Sequence, residues 1–66
     1  MDATHEIYNK IMTVLDSNWT TYRIAKEVGL TGQAYIATLR SGESRIENMT
    51  LDRAERFEMV YNKYFL

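Results

Sequence analysis

The stretch that decides the fold is Thr21-Tyr22-Arg23-Ile24-Ala25-Lys26-Glu27-Val28-Gly29-Leu30-Thr31-Gly32-Gln33-Ala34-Tyr35-Ile36-Ala37-Thr38-Leu39-Arg40-Ser41-Gly42. Ile24, Ala25 and Val28 recur at helical spacing, and Gly29 directly after them can adopt the left-handed conformation on which helices end. Thr20 is a good N-cap for this short helix over residues 21–28, and Trp19 is placed to staple onto Ile24. Leu30-Thr31-Gly32 forms a tight connection. A second short helix over residues 33–40 carries Ile36 and Leu39 as its inward pair and ends at Ser41-Gly42. Ala25 is small where the two helices approach, and Ile24, Val28, Leu30, Ile36 and Leu39 supply a shared core. Such a pair meets the requirements of a helix-turn-helix. The outer face of the second helix offers Gln33, Ala34, Tyr35, Ala37 and Thr38, with no large aliphatic side chain.

Upstream, Ile7, Ile11, Val14 and Leu15 share one face of a helix over residues 3–15, with Asp2 or Thr4 as its cap. Asp16-Ser17-Asn18 reads as a turn. Downstream, residues 43–49 form a loop pinned by Ile46 and Met49, and Thr50 caps a last helix. Its stripe is Leu51, Ala54, Phe57 and Tyr61, with Val60, Tyr64 and Phe65 beside it. No period-two run is long enough for a strand. The reading is an all-α, four-helix single domain over residues 1–66.

Sixty-six residues leave no room for a Rossmann unit or a barrel, and a chain this short buries only about 60% of its unfolded surface. The absence of Cys excludes disulfides, thiolate metal sites and thiol nucleophiles, and the lone His5 reads as a solvated residue. No nucleophile–base pair, metal set or phosphate-cradling loop is present, so neither enzyme activity nor a cofactor or metal is expected. No signal peptide or apolar run of about 18 residues occurs, which makes the cytoplasm the default location and a membrane partner unexpected.

The pieces Ile24-Ala25…Val28-Gly29-Leu30, Ile36…Leu39-Arg40-Ser41-Gly42 and Ile46-Glu47-Asn48-Met49-Thr50-Leu51…Ala54…Phe57 occur in one order and spacing. Together they resemble the Cro/CI-type (lambda-repressor-like) helix-turn-helix family, in particular its small phage or mobile-element members. The resemblance covers residues 19–57. One departure is a connection one residue longer than the family's, which we place around Thr31-Gly32, where Gly32 can absorb it. The alternative keeps the turn length and puts Tyr35 inward; pairing with Leu39 at i, i+3 favours Ile36.

The resemblance implies sequence-specific binding of double-stranded DNA by a transcriptional repressor or regulator, with no small-molecule substrate. The helix over residues 33–40 would enter the major groove, and Gln33, Ala34, Tyr35 and Thr38 would face base edges. Thr21, Arg23, Lys26, Arg40, Ser44 and Arg45 would meet phosphates. Charge is distributed accordingly. The whole chain is at -1, but residues 20–45 carry four cations (Arg23, Lys26, Arg40, Arg45) against Glu27 and Glu43.

Each residue also has a plainer reading. Gln33, Tyr35 and Thr38 could be ordinary helix surface. Asp52, Glu55 and Glu58 among Arg53 and Arg56 read as a salt-bridged solvent face, and Met12, Met49 and Met59 as gap fillers. Tyr61, Tyr64 and Phe65 exceed what a small core needs and suit a homodimer interface; packing on the first helix against Tyr8 and Met12 explains them equally well. A second functional class is a protein-interaction module on the same scaffold, binding a partner regulator or inhibiting a host protein through Tyr35 or the aromatic tail.

Overall fold

Periodic apolar residues and their caps become four α-helices in the computed structural model, which describes residues 3–66, with side chains from Glu6 onward. They are α1 (Ala3–Leu15), α2 (Thr21–Val28), α3 (Ala34–Ser41) and α4 (Leu51–Tyr64), with a short 3-10 turn, Ile46–Asn48, between α3 and α4. Every regular element among the described residues is helical, so the protein is an all-α domain. The caps expected of Asp2 and Thr4, and the solvated His5, lie outside the described residues and side chains.

The core is drawn from all four helices: Ile11, Val14 and Leu15 of α1, Ile24, Ala25 and Val28 of α2, Ile36 and Leu39 of α3, and Phe57 and Val60 of α4. Ile36 is fully buried and pairs with Leu39, the register preferred from spacing. The largest interface lies between α1 and α4, and α2 and α3 pack across that pair. No helix among the described residues is long and apolar enough to cross a membrane.

The boundaries follow local chemistry. Thr20 and Thr50 sit in extended conformation, and their Oγ1 atoms accept from the amides of Arg23 at 3.0 Å and Arg53 at 3.3 Å. These are N-caps that satisfy amides with no partner inside the helix. Gly29 ends α2 at φ 88°, donating to the Lys26 carbonyl at 3.2 Å while Leu30 N–H donates to Ala25 at 2.9 Å. The crossed pair is a Schellman closure, and only glycine adopts that φ without strain.

Three expectations need correction. Gly32 has no positive φ and an added Cβ would meet nothing within 4 Å, so the longer connection does not draw on its special freedom. Leu51 is 70% exposed and does not belong to the α4 stripe, because the first turn of α4 projects past the core at the rim of a groove lined by Tyr8, Ile46 and Met49. Met59 is 70% exposed on the face of α4 away from Phe57 and fills no gap. Trp19 is half-buried against the core that includes Ile24, and its ring also meets the end of α4, with centroids 5.1 Å from Tyr64 and 5.0 Å from Phe65.

Candidate nucleic-acid interface

The outer face of α3 is where sequence and structure meet. With Ile36 and Leu39 turned inward, helical geometry brings Ala34, Ala37, Thr38 and Ser41 into one stripe at i, i+3, i+4 and i+7. Ala34, Ala37 and Ser41 are exposed and Thr38 is half-buried. Gln33 precedes the helix, exposed, as its N-cap residue. Its backbone is αR, its side chain makes no capping bond and the first turn has no acid. α3 therefore opens without the side-chain cap that α2 and α4 have, leaving its first amides for an outside acceptor.

Thr38 spends part of its hydroxyl at home. Oγ1 donates to the Tyr35 carbonyl at 2.7 Å and accepts from Ser44 Oγ at 2.9 Å. The Thr38 methyl is left for an apolar contact, and the Ser44 hydroxyl is committed inside the fold. Tyr35 is half-buried against the core, with the Arg53 guanidinium 4.5 Å above its ring. The base-edge role expected of Tyr35 is thereby weakened, since one face is covered by a cation and part of the ring is drawn back.

The six residues expected at phosphates fall into different surroundings. Lys26 is exposed and lines a groove with Tyr22, Leu30, Thr31, Gly32 and Gln33, beside the start of α3. Arg45 is also exposed, with a single ion pair to Glu47 at 3.4 Å. The Glu47 carboxyl is held below the ordinary range by a bond from its own backbone amide and then by Arg45. Thr21 Oγ1 accepts from Arg40 at 3.3 Å and keeps its own proton for another partner.

Arg23 and Arg40 make contacts within the fold to different degrees: Arg23 is exposed and keeps its in-plane N–H groups, whereas Arg40 is largely engaged. The Arg23 guanidinium stacks 3.8 Å over the Trp19 ring and 5.6 Å from Tyr64. Arg40 is half-buried and donates to Leu15, Ser17 and Trp19 carbonyls and to Thr21. Four of its five N–H groups are used within the fold and one Nη1 proton is left, so the phosphate role expected of Arg40 is reduced to at most a single bond. Two residues escaped the sequence reading. Tyr22, 62% exposed, stands beside Lys26 and Gln33, and Arg53 places a cation over the first turn of α3. Nothing in spacing pointed to Arg53; the Thr50 cap that fixes its helix gave the only handle.

The aromatic tail is partly satisfied within the chain. Tyr61 and Phe65 are half-buried and stack with centroids 6.5 Å apart, Lys10 lies 5.6 Å over Tyr61, and Tyr64 and Phe65 close on Trp19. Trp19, which was not among the partners weighed, is the residue that holds the tail. Tyr64 remains 40% exposed, its hydroxyl donating to Glu27 at 3.3 Å. On α4, Arg56 pairs with Asp52 at 3.3 Å, the solvent-face pairing expected there, whereas Glu58 makes a half-buried bridge to Lys10 of α1 at 3.0 Å and Arg53 turns to Tyr35.

The arrangement offers surface and hydrogen-bond donors on a small helical scaffold. No family model, no curated protein and no solved structure matches this chain.

Proposed function

We propose that the protein binds double-stranded DNA sequence-specifically, as a transcriptional regulator, by laying the outer face of α3 into the major groove. The observation that carries this reading is the open stripe of Gln33, Ala34, Ala37, Thr38 and Ser41 on a helix whose first turn is uncapped. Small side chains let a helix approach base edges closely. Gln33 can bond an adenine edge bidentately, and the methyls of Ala34, Ala37 and Thr38 fit a thymine methyl. The uncapped amides and Lys26 beside them suit phosphate oxygens at the groove's edge. The resemblance to the Cro/CI-type family supports the same orientation.

Arg40 is engaged within the fold, which leaves Arg23, Lys26 and Arg45 as the exposed cations for backbone contact. A plot of log affinity against log salt is therefore expected to have a slope of about -3 per protomer, gentler than four phosphate cations would give. Selection of the purified protein on a random duplex library at low salt tests the reading directly. Enrichment of a motif is the expected result, and dyad symmetry in it would mark a homodimer. No enrichment, with no retention of bulk DNA, would overturn the proposal.

One observation favours the second class. Tyr8, Ile46, Met49 and Leu51 rim an apolar groove between α1 and α4, and Leu51 is 70% exposed. If DNA is not retained, the protein-interaction reading takes over, and Leu51→Ser is the variant expected to abolish partner binding.

A further inference from the structure

We infer that Arg40 is a positioning residue, which sets the orientation of α3 by gripping the turn between α1 and α2. The inference rests on the DNA-reading proposal for what α3 is positioned to do. Its Nε donates to the Leu15 carbonyl at 3.0 Å, Nη1 to Thr21 Oγ1 at 3.3 Å, and Nη2 to the carbonyls of Ser17 at 3.3 Å and Trp19 at 2.7 Å. Leu15 is the last residue of α1, Ser17 and Trp19 belong to the turn, and Thr21 is the first residue of α2. One side chain from α3 thus ties together the end of one helix, the connection and the start of the next.

The need for such a grip is visible at both ends of it. α1 ends with no basic residue in its last turn, so its terminal carbonyls have no local cation. Arg40, 25 positions along the chain, supplies the positive charge that the negative end of that helix favours. α3 has only eight residues and buries just Ile36 and Leu39. Apolar burial is non-directional, so two inward side chains leave the helix free to roll and tilt. Arg40 near its C-terminal end and Arg53 over Tyr35 near its N-terminal end add the directional contacts. The fork of a guanidinium reaches several acceptors at once; the compact ammonium of lysine does not.

The test is Arg40→Lys, which keeps the charge and loses the fork. Residual dipolar couplings measured without DNA are expected to show α3 turned by more than about 10° relative to α1 and α4. Affinity of the folded variant for the selected duplex is expected to fall about ten-fold, the loss of one well-seated base contact, with an unchanged salt slope. Couplings for α3 that superimpose on wild type would overturn the inference. So would unchanged affinity, or an Arg40→Met variant whose salt slope falls by about one, the mark of a lost phosphate contact. Should wild type bind no duplex, the DNA reading fails and the couplings alone decide the positioning role.

A wild-type measurement covers the case of a variant that does not fold. The Arg40 Nε–H and Nη signals are expected to show hindered rotation and to stay in place when duplex is added. Freely averaged Nη signals would contradict the grip.

Discussion

The two helix pairs of this domain are stabilised by different means. α1 and α4, of 13 and 14 residues, make the largest interface in the molecule and are joined across it by Lys10 and Glu58. α2 and α3 have eight residues each, too few for helices that stand alone in water. They supply half of the core, through Ile24, Ala25, Val28, Ile36 and Leu39, and point devices fix them further: the Thr20 cap, the Schellman closure at Gly29, the Arg40 grip and the Arg53 contact on Tyr35. The long pair is a platform whose strength is spread over area. In the short pair a few directional contacts add to burial, and on the outer face of α3 Ala34 and Ala37 are left free while Thr38 and Ser41 also bond within the fold. Positions left free in that way can vary to suit a ligand.

The comparison can be broken most severely at the platform. Phe57 is fully buried among all the helices, and Phe57→Ala is expected to cost about 3–5 kcal/mol. That approaches the whole stability of a domain this small, so thermal melting should lose its cooperative transition. A melt with wild-type cooperativity would mean that the platform is not the source of stability.

Point devices should give smaller and more local losses. Gly29→Ala forces a side chain into φ 88° and is expected to cost about 1–2 kcal/mol by urea denaturation. An added Cβ there would also come within 2.5 Å of Arg56 Nη1, the far end of a flexible chain. Truncating Arg56 in the same protein should therefore give back little, because the backbone strain persists. Next in size is Thr20→Ala, at about 1 kcal/mol for the lost cap. Hydrogen exchange should localise that loss to the first turn of α2. Smallest is Gly32→Ala, expected within about 0.5 kcal/mol of wild type, since the site has neither positive φ nor a neighbour to meet. Equal penalties at Gly29 and Gly32 would contradict the account of the turn.

The same contrast explains what the sequence disclosed. Thr20, Thr50 and Gly29 act on residues next to them, and Ile36 and Leu39 declare a face by their spacing. These were legible. Arg40 meets acceptors about 25 positions upstream, Arg53 covers Tyr35 from another helix, and Trp19 closes on Tyr64 and Phe65 at the far end of the chain. No local pattern encodes such meetings, because a long side chain reaches its partner only after the helices have docked. A cationic residue near α3 looked the same in sequence whether its charge was spent inside, as in Arg40, or left outside, as in Lys26. Gly32 misled for a related reason: glycine permits a left-handed turn without requiring one.

The most direct test of the central claim is a map of amide chemical-shift changes on adding duplex DNA, taken from the selection, to the labelled protein. Changes are expected to concentrate at Gln33, Ala34, Ala37, Thr38 and Ser41, extending to Lys26 and Arg45, with α1 and the second half of α4 quiet. Changes centred on Tyr8, Met49 and Leu51, with α3 undisturbed, would contradict it.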